Sequence, residues 1–561
     1  MIDRIKLMSG SSPGQPSLEF QLTPLTVFVG PNNSGKSKVL MEIEKYSRTT
    51  QKHPTSVLVE SVKFIGMDEG SIQDYISTLS LPPLAEDTIY EGFTYLGKLS
   101  PQNNSLTRVH IHQESLIREA QNPSDSSQNL AKLLDIYTLR LDGTNRLNLL
   151  AEQPAGDLLT ASLNHLSHLF IQDEARKNVR RIVHEALGKY FVIDPTNVGH
   201  LRVRLSASPP NDEKEEKGWD EASLQFHKKA QLISDASDGV KAFVGIITTL
   251  IAGDPQITLI DEPEAFLHPG LAYILGKEIG ISLINSSKRY FASTHSSAFL
   301  MGCIQSGIPL NIVRLTYQSG VATSRLLPQE KILHLMRHPL LRSTGVLNGL
   351  FYEAVVVTEA DSDRAFYQEI NERLLAVNDP RGIRNCLFLN AQNKQTVWDI
   401  VKPLRELGIP AAGIVDLDVV KEGGQVFSKL LEGAYIPALN HQPFTGQRKI
   451  ILDALDATGN HWKTNGGVSR LTNGDMEASL NYFRQLDEYG AFVVRNGELE
   501  SWLMGLGALH HGSTWLIDVF TRMGENPNSI DYVRPQDGDV WAFLGSIKQW
   551  IDNSNRQGIP T

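Results

Sequence analysis

The spacing of apolar and polar positions changes several times along the chain, and each change predicts an element. Residues 17–30, SLEFQLTPLTVFVG, begin by alternating and end in a short apolar run closed by glycine, which predicts two strands, the second buried. From Lys36, KSKVLMEIEKYSR places apolar residues at helical spacing and predicts a helix. Residues 65–160 are polar and rich in Ser, Asn and Gln, with helical patches such as SLIREA and NLAKLLDIYTLRL. They predict a mainly helical insertion, a candidate dimerisation element over 65–165. An amphipathic helix resumes over 167–190. HLRVRLSASPPNDEKEEKGWD then reads as a strand running into an exposed charged turn, with DEKEE solvated.

From 231 to 325, apolar runs alternate with helical stretches: a helix at 240–252, strand ITLI, a helix near 269–285, then strands RYFAS and NIVRL. Such alternation predicts a parallel sheet flanked by helices. A second α/β pattern opens with EAVVVTE at 353–359. The expected organisation is an N-terminal part (1–64), the insertion (65–165), a return to the first α/β domain (166–326), a linker (327–350), and a second α/β domain with a C-terminal extension (351–561). No internal repeat or low-complexity tract interrupts it, and GIPT reads as a loose tail.

A length of 561 residues exceeds what one core usually serves, which agrees with more than one domain. The two cysteines, Cys303 and Cys386, are far apart and lack metal-ligand spacing, so a disulfide framework is not expected and a reducing cytoplasm is. No signal peptide and no membrane span are expected. The net charge of −10 argues against a broadly basic nucleic-acid surface, yet leaves room for a local basic groove.

Candidate chemistry gathers at two places. GPNNSGKS, Gly30 to Ser37, fits G-x-x-x-x-G-K-[ST] between the predicted buried strand and helix. Gly30 and Gly35 allow the backbone to wrap phosphates. Lys36 supplies positive charge for the β- and γ-phosphates of ATP, and Ser37 an oxygen for Mg²⁺. Asn33 and Lys38 join Gly35, Lys36 and Ser37 as candidate nucleotide contacts. ITLIDEPEAFLHP delivers Asp261 to a strand end as the second Mg²⁺-side group, with Glu262 placed to polarise the attacking water. His295, after RYFAS, is a candidate γ-phosphate contact. Ser237, Asp238 and Gly239 stand before a helix, either as a plain N-cap or as a motif that caps a nucleotide on another chain.

These motifs, in this order, resemble the ABC-type ATPases of the SMC and RecF kind, with Asp238 standing where the signature motif has a tandem glycine. DEPExxLHP resembles the ATPases of the overcoming-lysogenization-defect (OLD) family. The resemblance covers roughly 1–60 and 165–325. It implies head-to-tail pairing in a homodimer or higher homo-oligomer, each site completed by the other chain's signature.

The second place is acidic. VVVTEADSDRAFY predicts a strand ending at Glu359 and a helix, with Asp363 at their junction; GIPAAGIVDLDVV predicts another buried strand carrying Asp416 and Asp418 on one face. Such carboxylates form a hard-oxygen site for Mg²⁺ or Mn²⁺. Two such ions about 3.5–4 Å apart can activate water on a phosphodiester. The pattern resembles a TOPRIM domain, with Ala360 where the family has glycine. YGAFVVRNGELESWL adds Glu500 as a late acidic candidate, Glu498 as its alternative. Lys394 and Lys548 are candidates for the late lysine that the resemblance implies near the scissile phosphate.

A P-loop ATPase followed by TOPRIM is the OLD architecture. It implies an ATP-regulated, metal-dependent endonuclease acting on DNA, of a kind used against phage. Relatives act beside a helicase-like partner or as retron effectors held by a reverse transcriptase and its RNA–DNA product, and no residue here selects between them. The rival is an ATP-driven DNA clamp or sensor whose acidic site does not cut.

Overall fold

The computed structural model describes residues 2–560 apart from 86, 89, 100–105, 160, 161, 163, 254, 319, 344, 510 and 511. The chain forms two compact units, Met1–Gln329 and Glu330–Thr561.

The first unit is built on a six-stranded sheet in the order Val321–Leu327, Leu310–Gln318, Leu25–Val29, Arg289–Ser293, Ile257–Asp261, Thr138–Leu141. All pairings are parallel except the hairpin between Leu310–Gln318 and Val321–Leu327. Every residue of Leu25–Val29 is buried, as a central parallel strand covered on both faces requires. The helix Lys36–Thr49 turns Val39, Leu40, Ile43 and Tyr46 inward and ends at Thr50, whose N–H returns to the Tyr46 carbonyl. Each such buried aliphatic side chain contributes roughly 1.5–3 kcal/mol. An antiparallel sheet of Glu19–Gln21, Ile2–Leu7 and Val59–Phe64 also belongs to this unit, as does one of Tyr190–Asp194, His200–Ser206 and Gln231–Leu232.

Three expectations change here. The 65–165 insertion is mixed: beside the helices Glu69–Leu79, Gln113–Gln121 and Gln128–Tyr137, the strands Ser80–Leu81, Phe93–Leu99 and Leu106–His112 form an antiparallel sheet. Nor is all of it inserted, because Thr138–Leu141 pairs with Ile257–Asp261 as the edge of the main sheet. The run NLAKLLDIYTLRL splits at Tyr137, since the β-branched Thr138 opens a strand whose side chains bury against that sheet. DEKEE is not all solvated: Glu216 is 1% exposed and ion-pairs with Arg176 at 3.0 Å and Arg180 at 2.6 Å. Charged residues are buried when paired, and two guanidinium groups serve one carboxylate here.

Residues 327–350, expected as a linker, carry the helices Gln329–Arg337 and Pro339–Ser343 and a 3₁₀ turn from Val346. The second unit's sheet is wholly parallel, in the order Cys386–Asn390, Ala354–Thr358, Ala411–Asp416, Ala491–Val494. Its core gathers Val356, Phe366, Phe492, Trp515 and Trp541. Trp502 donates its indole N–H to Tyr367 Oη at 2.9 Å, which satisfies two polar groups within apolar surroundings. Arg405, fully buried, donates to the carbonyls of Ala411, Ala434, Tyr489, Gly490 and Gly558. The GIPT tail is therefore held at Gly558 rather than loose; Thr561 lies outside the described residues. Both cysteines are free thiols. Among the described residues, no helix is long and apolar enough to cross a membrane.

Candidate active sites

The nucleotide site begins where Leu25–Val29 leaves the sheet. Gly30 has φ 145°, and a Cβ there would lie 2.0 Å from the Leu315 carbonyl oxygen, so only glycine lets the loop pass. Gly35 (φ 93°) and Asn33 (φ 61°) are also left-handed, and the loop delivers its backbone to the N-terminus of Lys36–Thr49. The buried Lys36 ammonium donates to the carbonyls of Gly30 at 2.9 Å and Pro31 at 2.7 Å. Burial pulls its pKa down to about 8, opposed by the charges of Glu262, Asp261 and Glu264. Ser37 is exposed and Lys38 half-buried on the first helical turn.

Asp261 closes its strand directly opposite Ser293. Its carboxylate accepts from the Ser37 hydroxyl at 3.0 Å and from the Ser293 hydroxyl. A hydroxyl and a carboxylate sharing one point are the donor chemistry of a Mg²⁺ site. Glu262 follows in a left-handed conformation, φ 51°, with its carboxylate 3.6 Å from His295 Nε2. Burial, then the Lys36 charge, depress the His295 pKa to about 4, so the imidazole is neutral near pH 7.

Ser237 stands at the N-cap of Asp238–Ala252 without a side-chain cap bond. Asp238 reaches Lys241 at 3.5 Å. A Cβ on Gly239 would lie 2.5 Å from the Phe266 carbonyl oxygen, so glycine there allows close approach to the chain after Glu264.

Glu264 and Arg146, not among the candidates above, complete this site. The Glu264 carboxylate accepts from Thr294 Oγ1 at 2.7 Å and the His295 N–H at 2.8 Å, and burial raises its pKa. Arg146, 1% exposed, donates to the carbonyls of Asp261 and Glu262, both at 2.6 Å. Glu264 was readable within DEPE; Arg146 carried no sequence signal.

In the second unit, adjacent parallel strands bring Glu359 and Asp416 to one edge, where the Asp416 N–H donates to Glu359 Oε1 at 2.9 Å. Asp363 accepts from the Ala360 N–H at 3.1 Å and caps the helix that begins at Asp361. Asp418 is not on the strand with Asp416: the strand ends at Asp416, and Asp418 sits on the 3₁₀ turn Leu417–Lys421. Lys463 nevertheless gathers both, its ammonium 3.0 Å from Asp416 Oδ2 and 3.1 Å from Asp418 Oδ2, with Glu498 at 3.7 Å. Lys394 reaches Asp418 at 3.2 Å and Glu422 at 2.8 Å. Glu500 accepts from the Gly512 N–H at 2.7 Å, and its charge bears on Asp363. Lys548 pairs instead with Asp552, one turn along its own helix.

The electrostatics are those of crowded anions. Burial raises Glu359 and Asp416, and neighbouring carboxylates raise both further, while Lys463 opposes this at Asp416. Burial, then Glu500, carries Asp363 up to about 6. At Asp418, burial disfavours the charge, but Lys463 and Lys394 overcome it and hold the carboxyl below its ordinary range. Its Oδ1 is buried with no hydrogen-bond partner. Among the described residues, no three His, Cys, Asp or Glu side chains come together as a metal-ion site in this arrangement, in which Lys463 and Lys394 stand against the carboxylates.

Residues 151–301 match a family model described as an AAA domain, putative AbiEii toxin, type IV toxin–antitoxin system. The match takes in Ser237–Gly239, Asp261, Glu262 and His295. No curated protein matches the chain. Among solved structures, an SMC head bound to the C-terminal winged-helix domain of ScpA shares 13% identity over 59% of this chain and 99% of its own, with a TM-score of 0.34. The SMC head domain from Thermotoga maritima shares 12% over 58% and 99%, at 0.28. The Smc head from Pyrococcus furiosus with an extended coiled coil, bound to the C-terminal domain of ScpA, shares 12% over 60% and 98%, at 0.32. With its P-loop strand and the Asp261 strand in one sheet and the family match over 151–301, the first unit carries an AAA-type ATPase domain equipped to bind and hydrolyse ATP.

Proposed function

We propose that the chain is an ATP-hydrolysing, divalent-metal-dependent DNA endonuclease of the OLD kind, acting as an effector of phage defence. The observation that carries the reading is the gathering of Glu359, Asp363, Asp416 and Asp418 at the carboxyl edge of one parallel sheet, beside Lys394 and Lys463. In this reading Ser37 and Asp261 hold Mg²⁺ beside ATP, His295 faces the γ-phosphate, and Glu262 draws the proton from water. The four carboxylates of the second unit would hold Mg²⁺ or Mn²⁺, which would supply Lewis acidity toward a phosphodiester. Lys394 and Lys463 offer positive charge to the DNA backbone there. Ser237–Gly239 cap the nucleotide of another copy, which makes the active form a homodimer or larger. A helicase-like protein, or a reverse transcriptase with its RNA–DNA product, is the partner class.

The second reading is an ATP-driven DNA clamp or sensor. It draws support from Lys463, whose ammonium already neutralises Asp416 and Asp418. Plasmid DNA incubated with the protein, with and without Mg²⁺ or Mn²⁺, decides between them. Metal-dependent nicking or linearisation is expected. ATP turnover and DNA binding without any cutting, in either metal and with partners supplied, would establish the clamp.

A further inference from the structure

The Asp261–Glu262 segment is held from two sides. Strand Arg289–Ser293 takes one: the Glu262 N–H donates to the Ser293 carbonyl at 3.0 Å. Arg146 takes the other, with one guanidinium nitrogen on each of the two carbonyls. The fork is itself fixed. Arg146 lies on the 3₁₀ turn Asn145–Asn148, its Nε donates to the Asp142 carbonyl at 2.8 Å, and Asp142 accepts from the N–H groups of Thr144 and Asn145, both at 3.0 Å. The turn is seated on the helix that begins at Ser237–Asp238: a Cβ on Gly245 would lie 3.0 Å from Leu149 Cβ and 3.4 Å from the Arg146 carbonyl oxygen. One residue thus ties the edge strand Thr138–Leu141, the signature helix and the two acids of the nucleotide site.

We infer that Arg146 is a positioning residue for ATP hydrolysis, clamping the peptide planes on both sides of Glu262 so that its carboxylate stays aimed beside His295. Glu262 is a non-glycine residue in a left-handed conformation, which persists only where its surroundings determine it. Freed from the clamp, the backbone can relax toward ordinary φ, which swings the Cα–Cβ bond and carries the carboxylate away from the attacking water. Asp261 is tethered independently by the Ser37 and Ser293 hydroxyls, so nucleotide and Mg²⁺ binding should survive. The clamp is planar and bidentate; a lysine ammonium cannot reproduce it.

The inference rests on Glu262 as the base, and the test separates the two. ATP turnover, fluorescent-ATP affinity and melting temperature are measured for wild type, Arg146→Lys, Arg146→Met, Glu262→Gln and the double variant Arg146→Lys/Glu262→Gln. Arg146→Lys should keep ATP affinity within about threefold while kcat falls on the order of 100-fold, the size of effect that slight misplacement of a reacting group produces. The double variant should turn over no more slowly than Glu262→Gln alone, because the arginine acts through the glutamate. If Arg146→Met fails to fold, Arg146→Lys alone carries the comparison. Wild-type kcat in Arg146→Lys, multiplied losses in the double variant, or affinity and melting temperature falling in step with kcat would each overturn the inference. Wild-type turnover by Glu262→Gln would instead remove the base assignment and the inference with it.

Discussion

The two units solve one problem, gathering charge at the carboxyl edge of a parallel sheet, in opposite ways. In the first, the positive charge is local: Lys36 follows the loop that would wrap the phosphates, and the acids arrive on another strand. Backbone N–H groups and one buried lysine then prepare the site for an anion. In the second, the acids come first, from two adjacent strands and a 3₁₀ turn, and the positive charge is borrowed from Lys463 and Lys394. In the proposed reading that edge would take a cation. The contrast teaches that strand-edge geometry alone does not choose the ligand; the charge set along the edge does.

The sharpest way to break the comparison is Asp416→Ala. It removes an anionic oxygen from the second site, so metal-dependent plasmid cleavage should fall to background while ATP turnover stays near wild type. Equal cutting by variant and wild type would show the active site misplaced or a contaminating nuclease, and a parallel fall in ATP turnover would show the sites working as one. Next in size is Lys36→Ala, which should lower ATP turnover by roughly 100-fold or more, the cost of losing one preorganised group aimed at transition-state charge. Retained turnover would place the phosphate charge elsewhere.

Lys463→Met sharpens the other half. It leaves Asp416 and Asp418 without their shared ammonium, so thermal unfolding of the second unit should lose about 1–3 kcal/mol, reduced from a fully buried pair by partial solvent access. Added Mn²⁺ should raise the variant's melting temperature more than the wild type's. An equal response would deny that the lysine and the cation share those oxygens.

The effect that vanishes at neutral pH belongs to a histidine in neither site. His165, 4% exposed and bonded through Nε2 to the Leu149 carbonyl at 2.8 Å, has its pKa pulled by burial to about 4. The unfolded chain binds this proton more readily, so stability should be full above the unfolded pKa of about 6.5 and fall as pH drops toward 4, by about 3 kcal/mol at most. Melting temperature against pH for wild type and His165→Phe should show the acid slope flattened in the variant.

What could be read from sequence follows how local each signal is. The P-loop is eight contiguous residues between an apolar run and a helical repeat, so its loop and helix were legible. Glu359 and Asp416 stand at the ends of apolar runs, and their shared edge follows from strand adjacency; Asp363 follows Glu359 by four residues, in the first turn of the next helix. Asp418 was expected on the strand because alternation continued through Leu417, but hydrogen bonding to the partner strand stops at Asp416. Lys463 lies between helices with no periodic pattern to flag it, and only tertiary folding brings it to the acids. LTRVHIH carried an alternating, β-branched signal that the polar composition around it masked.

Arg405 binds segments distant in sequence through carbonyls alone, its guanidinium stripped of water and its pKa lowered by burial to about 9. Carbonyls belong to every residue type, so the neighbours can drift in identity while the arginine cannot. Gly490 and Gly558 are exceptions: each has a left-handed φ, 68° and 86°, and a would-be Cβ 2.6 Å from the Arg405 side chain, which at Gly558 couples two positions 153 residues apart. Trimming the chain at 557 would uncover a dry cation at the base of the second sheet. A shortened version designed for crystallisation or fusion should keep residues through Ile559, whose side chain closes over the same core.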